Sequence, residues 1–158
     1  LRGASAWVAE HATVRVDTTR AVEFVDLTGR VAELVAESGL DCGLVSLQTR
    51  HTTTGLLVNE LEPLLLEDLR ETLERHARST AEYRHDDLTR RTVNVVHDER
   101  RNGHAHCQAL VLRASETLHV VGGCLQLGRW QRVLLAELDG GQKREVSVMI
   151  VGRGRASS

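Results

Sequence analysis

Aromatic side chains are almost missing from this chain: one Phe, one Tyr and two Trp in 158 residues. The core must therefore rest on Leu, Val and Ala, and Trp7 and Trp130 stand out. Cysteine is scarce as well, at Cys42, Cys107 and Cys124 only. An odd number at wide spacing excludes a disulfide framework, and the lack of any Cys-x-x-Cys pair excludes a structural zinc ribbon. Free thiols fit a reducing cytoplasm, which is the expected location. No excess of charge of one sign exists. A net charge of −2 makes no electrostatic case for nucleic acid or an anionic membrane as partner. No apolar run reaches the roughly 18–20 residues of a membrane span. No signal-peptide pattern is seen, and the chain opens on Leu1 rather than Met, as a trimmed start would.

What is present is ordinary for a soluble globular protein: 41% apolar and 27% charged residues. The length suits one domain, expected over 1–158 with an ordered core of about 5–152, with no internal repeat or linker. Trp7 to Val16 ends in alternation and reads as a strand, and Val22 to Val25 adds a short second one. Asp26 is placed to cap a helix through Ser38, which Gly39 ends. Leu40 to Gln48 alternates at Leu40, Cys42 and Leu44 and reads as an inner strand running into His51. Asn59 to Arg78 is the clearest helix, with Asn59 as its cap and Pro63, the one proline, in the first turn. Leu65, Leu69 and Leu73 form its apolar stripe. Ser79 to Asp98 is polar and turn-like. Thr117 to Val121, Gln131 to Leu138 and Glu145 to Val151 are strands, with Gly122-Gly123 and Gly140-Gly141 as turns and Arg153 to Ser158 frayed.

Three segments carry chemistry. Asn102 to Gln108 (NGHAHCQ) puts His104 and His106 two residues apart. Imidazole is a common ligand of zinc-like metals and the usual acid or base near neutral pH. On a strand the two would share a face; on a helix starting at Gly103 they would diverge by roughly 200°, leaving His106 as the inward one. The same pattern also suits two surface histidines on a polar loop. Gln48 to Glu60 (QTRHTTTGLLVNE) offers His51 as a ligand, Thr52, Thr53 and Asn59 as donors to an anion, and Glu60 as a base. Its plainer reading is a strand end followed by a capped helix. Tyr83 to Asp87 supplies His85 with Asp86 as a carboxylate partner, or simply a solvated loop. Gly128 to Gln131 brings Arg129 for an anion and Trp130 for a ring or a subunit contact. Cys107 has no triad partners nearby, and His11, His76, His97 and His119 read as surface or ordinary strand residues.

Taken together and in order, QTRHTTTGLLVNE, YRHDD, NGHAHCQALVL, LQLGRWQRVLLAELDG and the closing VMIVG resemble the YjbQ-like family, some of whose members are labelled secondary thiamine-phosphate synthases. The resemblance runs from about residue 5 to 152. It implies an α+β fold with a β-sandwich-like core and flanking helices, and a homotrimer. It implies a divalent metal, zinc first and magnesium second, on His51, His85 and His106, with His104 at a less uniform position. Asn59, Glu60, Asp68, Trp130 and Gln131 also match recurring family positions. The function so implied is a metal-dependent enzyme acting on a small phosphorylated or heterocyclic substrate, with weak thiamine-phosphate synthase activity; the alternative is a trimeric protein binding a small ligand or metal without turnover. In the first case Glu60 would be the base and Arg129, with Trp130 and Gln131 beside it, would hold the anion. The chain departs from the family pattern at Glu62, where Asp is usual, at Cys124, where a cation is usual, and at the turn Asp139-Gly140-Gly141-Gln142-Lys143, where Gly-Pro-Arg follows the acid. The Cys124 change removes a charge that would meet an anionic substrate.

Overall fold

A computed structural model describes residues 6–156. In order these form β1 (Trp7–Asp17), β2 (Glu23–Asp26), α1 (Thr28–Glu37), β3 (Leu40–Thr49), β4 (Thr54–Glu60), α2 (Pro63–His76), a 3-10 turn at Arg84–Asp86, α3 (Gly103–Ala109), β5 (Ser115–Val121), β6 (Cys124–Leu125), β7 (Gln131–Glu137) and β8 (Lys143–Gly154). The strands make two antiparallel sheets, one ordered β1-β8-β3-β5-β6 and one ordered β2-β7-β4. The fold is α+β, as the family resemblance implies. No helix among the described residues is long and apolar enough to cross a membrane.

β7 explains the layering. Val133, Leu134, Leu135 and Ala136 are all fully buried, and a strand with no polar alternation needs cover on both faces. Val133 and Leu135 pack with Val45, Leu47, Val146, Val148 and Ile150 of the five-stranded sheet, and with Val31 and Val35 of α1. Ala136 packs on the other side with Phe24, Leu73 of α2 and Ala105 of α3. The three-stranded sheet is thus sandwiched between the larger sheet and the α2–α3 pair. Each Val or Leu so buried contributes about 1.5–3 kcal/mol.

Several expectations need correction. Asn59 and Glu60 do not open a helix; they end β4, paired with Arg132 and Gln131. α2 begins at Pro63, and its cap is Glu62, whose carboxylate accepts from the N–H groups of Leu64 and Leu65. The glutamate is one methylene longer than the preferred capping residues and still reaches both orphan donors. The apolar stripe of α2 is Leu66, Leu69 and Leu73 rather than one starting at Leu65. In β3 a bulge between Leu40 and Cys42 reverses the alternation, so Val45, Leu47 and Thr49 point inward while Cys42 and Leu44 are exposed. Asp26 accepts from the Thr28 N–H at 2.8 Å, but Leu27 occupies the cap position. Arg153 and Gly154 are not frayed: they belong to β8, and Arg153 pairs with Asp41. The Arg155 N–H still donates to the Gly39 carbonyl at 2.9 Å, and residues 157–158 of the expected frayed end lie outside the described residues.

One buried ion pair locks the sheets together. Glu137, 0% exposed, receives Nε and Nη2 of Arg144 at 2.5 and 2.6 Å. The hydroxyl of Thr18 and the backbone N–H of Asp139 complete its shell. Arg144 also donates to Thr53 Oγ1 at 3.1 Å. Burial alone would raise the Glu137 pKa, but the Arg144 bonds, the Asp139 N–H and the guanidinium charge hold it below the ordinary carboxylate range. Removing one partner strands the other charge, so Glu137→Gln is expected to cost about 3–5 kcal/mol in urea denaturation followed by circular dichroism. Glu145→Gln, which breaks the exposed pair with Arg50, is expected to cost no more than about 1 kcal/mol. Equal costs would refute this assignment.

Candidate functional site

The start of α3 is tied to the 3-10 turn by one carboxylate. Asp86 Oδ1 accepts from the backbone N–H of Asn102 at 3.0 Å and of Gly103 at 2.9 Å. It does the work of a cap from sixteen residues upstream, and Asn102, in the cap position, makes no side-chain cap bond. Gly103 is required because the two segments meet so closely that a Cβ there would lie 2.4 Å from Tyr83 Cβ. The result is that His85 and His106 sit edge to face, with ring centroids 4.5 Å apart and planes at 64°. Nε2 of His85 is buried and has no hydrogen-bond partner among the described residues.

A polar frame surrounds this pair. Asp139, just past β7, accepts at Oδ2 from Asn102 Nδ2 at 3.2 Å and Gln142 Nε2 at 2.9 Å. Arg91 pairs with Glu99 at 2.8 Å, both largely buried, and also donates to the carbonyls of His85 and Asn94. Burial lowers the His106 pKa first, the neighbouring His85 adds to this, and Asp139 opposes it. His106 is therefore neutral at pH 7 and keeps a lone pair free for a metal or a proton.

The other expected site residues fall elsewhere. His104, on the same helix, turns away from His106 toward Tyr83, with ring centroids 6.4 Å apart. This is the divergence that a helical offset of two predicts. His51 lies in the β3–β4 turn, and its Nε2 accepts from the Glu145 N–H at 2.9 Å, which assigns the proton to Nδ1. Burial, then the Arg144 charge, lowers its pKa. Thr53 is buried, and its hydroxyl is taken by Arg144; Thr52 is exposed. Asn59 accepts from the Glu60 N–H. Glu60 and Gln131 face each other across β4 and β7, at the opposite end of that ladder from Thr54 and Glu137. Six residue steps separate the ends, about 20 Å. Arg129 lies over the Trp130 ring at 4.6 Å, beside Gln131, and Trp130 is 59% exposed.

The structure therefore brings His85 and His106 together and puts Glu60, Arg129, Trp130 and Gln131 at the far end of the sheet. Among the described residues no group of three or more His, Cys, Asp or Glu is arranged to hold a metal. Asp139, Asn102, Gln142 and the Arg91–Glu99 pair escaped sequence reasoning as site residues. The one usable signal was the acid-Gly-Gly turn after β7, which puts a carboxylate at a strand end.

The model of the family described as UPF0047 protein YjbQ-like matches residues 12–153. The chain belongs to the UPF0047 YjbQ-like family. A UPF0047 protein of Archaeoglobus fulgidus is 38% identical over 131 residues, covering 83% of this chain and 93% of that protein. One from Methanothermobacter thermautotrophicus is 33% identical over 136 residues, covering 86% and 87%. Among solved structures, a YbjQ-like protein of unknown function from Sulfolobus solfataricus is 30% identical and covers 93% of this chain and 99% of its own, with a TM-score of 0.82. A hypothetical protein from Aeropyrum pernix is 32% identical over 92% and 99%, with a TM-score of 0.78. The YjbQ-like fold is thus shared along nearly the whole chain.

The two lowered histidines make this YjbQ-like chain sensitive to acid. Each has a folded pKa below its ordinary value of 6.5, so the unfolded state takes up the proton first. The stability they contribute is full above pH 6.5 and is lost as pH falls through their lower folded values. In chelator-treated buffer, thermal midpoints are expected to drop between pH 7.5 and 5.5. His51→Asn/His106→Asn should flatten that drop, and an unchanged slope in the double variant would disprove the linkage.

Proposed function

We propose that this protein is a metal-dependent enzyme acting on a small phosphorylated or heterocyclic substrate, with the reaction centred on His85 and His106. The observation that carries the reading is the buried Nε2 of His85, which has no partner among the described residues although the His106 ring lies beside it. A buried polar atom with no partner costs about 1–3 kcal/mol, and a bound group between the imidazoles would remove that cost. The donors suit a divalent ion, zinc ahead of magnesium, because imidazole nitrogens favour the softer metal. When bound, the ion would polarise a phosphoryl oxygen or activate water.

The chain's own residues set the rest. Asp139, held by Asn102 and Gln142, puts negative charge near His106 and stabilises its protonated form if it takes a proton. Arg91 and Arg144 are spent on Glu99 and Glu137, so neither is free for a diphosphate leaving group, which argues against thiamine-phosphate condensation. Two imidazoles are one short of the usual three protein ligands of an open site. His51 is turned to the backbone of β8 and His104 to Tyr83. The third ligand, the base Glu60 and the anion-holding Arg129 then come from a neighbouring subunit of a homotrimer. Leu44, Val121 and Met149 on the open face of the larger sheet, and the exposed Trp7 and Trp130, support such an assembly.

The alternative, a trimeric protein that holds a small ligand or metal without turnover, draws support from Asp139: two amide donors already occupy its Oδ2, which suits a fixed charge better than a proton carrier. A substrate panel of small phosphate esters and heterocycles separates the two, since turnover lost on metal removal supports the enzyme and binding without product supports the alternative.

Protein purified without chelator is expected to carry zinc by elemental analysis and to release it as pH falls below about 6. His106→Ala should abolish binding, and His104→Ala should weaken it far less. Absence of metal together with unchanged zinc affinity in His106→Ala would sink the metal reading.

Light scattering should give three times the chain mass of 17.5 kDa. Trp130→Ala should lose the trimer or ligand binding while its far-ultraviolet circular dichroism stays native. A Trp130→Ala chain that simply unfolds would make Trp130 a folding residue instead.

A further inference from the structure

On the opposite side of α3 from His106, a cleft of about 450 Å³ opens between α2, α3 and the chain entering β2. Its volume is within the range of small-molecule sites. The lining combines an apolar surface, Ala21 and Val22, with charges of both signs, Arg70 and Arg75 against Glu71 and Glu74, and with the His104 imidazole. It also includes Gln108, a side chain only 1% exposed.

Gln108 points to a ligand. Its Nε2 donates to the Ala77 carbonyl at 3.0 Å, which fixes the carboxamide, yet its buried Oε1 accepts nothing among the described residues. A carbonyl withdrawn from water without a donor calls for one. The charged residues are in the same condition. Arg70 uses only its Nε, on the Val22 carbonyl, and its guanidinium lies 5.9 Å from the Phe24 ring. Arg75 donates to the Thr72 hydroxyl but to no carboxylate among the described residues. Glu71 has no hydrogen-bond or ion-pair partner among them either. Glu74, by contrast, is occupied by the N–H and hydroxyl of Ser79.

An anion alone would meet Arg70 and Arg75 but also the unbalanced Glu71. A cation alone would meet Glu71 and Gln108 but also two guanidiniums. We infer that the cleft between α2 and α3 binds a small zwitterion of the α-amino acid class, with its carboxylate on Arg70 and Arg75, its ammonium on Gln108 Oε1 and Glu71, and its side chain on Ala21 and Val22. Guanidinium and carboxylate match as a planar fork, and the ammonium is the donor that Gln108 lacks. This site is separate from the His85–His106 pair and needs no metal.

The test uses the full chain and three probes of one shape: L-leucine, 4-methylpentanoate, which lacks the amine, and isoamylamine, which lacks the carboxylate. Saturation-transfer NMR and calorimetry should show leucine binding, and both single-charge analogues should bind at least about tenfold more weakly. Arg75→Gln, a change at an exposed residue that should leave the fold intact, and Gln108→Met should each weaken leucine binding by at least about tenfold. No transfer to leucine at millimolar concentration overturns the proposal. So does equal binding of either analogue, or wild-type leucine affinity in a folded Arg75→Gln.

Discussion

The carboxylate of Glu137 is completely buried, and the structure depends on its being met. It sits at the last residue of β7, where the central sheet ends. Around it gather the end of β1 through Thr18, the start of β8 through Arg144 and the β3–β4 turn through the Thr53 that Arg144 also holds. Both sheets are therefore fastened at one point, in addition to the apolar layer between them. A buried charge pair is poor evidence of net stability, because desolvation offsets most of the attraction. What it supplies is position: any sliding of β7 against β8 would separate two charges in a low dielectric. The N–H of Asp139 binds the same carboxylate, so the polar frame around His106 inherits that fixed position.

The histidine pair is built by a different kind of constraint. The segment between α2 and α3 has little regular structure, yet Asp86 bonds two backbone N–H groups at the start of α3 and Arg91 gathers carbonyls and Glu99. These bonds substitute for a packed core and hold His85 against His106. The opposite end of the β4–β7 ladder, with Glu60, Gln131 and the Arg129–Trp130 stack, is the other place where unusual residues cluster. The β4–β7 ladder keeps the two apart within one chain.

Much of the fold was legible because it follows local periodicity. The alternation of β1, the glycine turns and the continuous apolar run of β7 all appear as the sequence implies. The misplaced start of α2 has a clear reason: Asn-Glu suits a helix entry by local preference, but pairing with Arg132 and Gln131 draws both residues into β4. The inverted face of β3 is likewise a bulge effect that no periodicity displays. At the site, the helical offset of His104 and His106 was readable from spacing. The approach of His85 to His106 was not, because it depends on a cap supplied by Asp86 from a distant turn. Nor was the engagement of His51, whose Nε2 accepts from a backbone N–H on β8, 94 positions away.

The pairing of β1 with β8 joins the beginning and the end of the described chain over eleven consecutive positions, from Trp7 opposite Arg153 to Asp17 opposite Lys143. β3 in turn lies on the other side of β8. During synthesis, β1 must therefore wait as an unpaired strand, and β3, which can pair with β5 first, keeps its other edge open until their shared neighbour exists. Closing so long a loop costs entropy before any contact rewards it. The larger sheet is thus a late, chain-length-dependent event in folding. Until then β1, with the inward-facing Val14 and Val16, and the β8-facing edge of β3 stay open to other chains, and such exposed apolar strands favour aggregation.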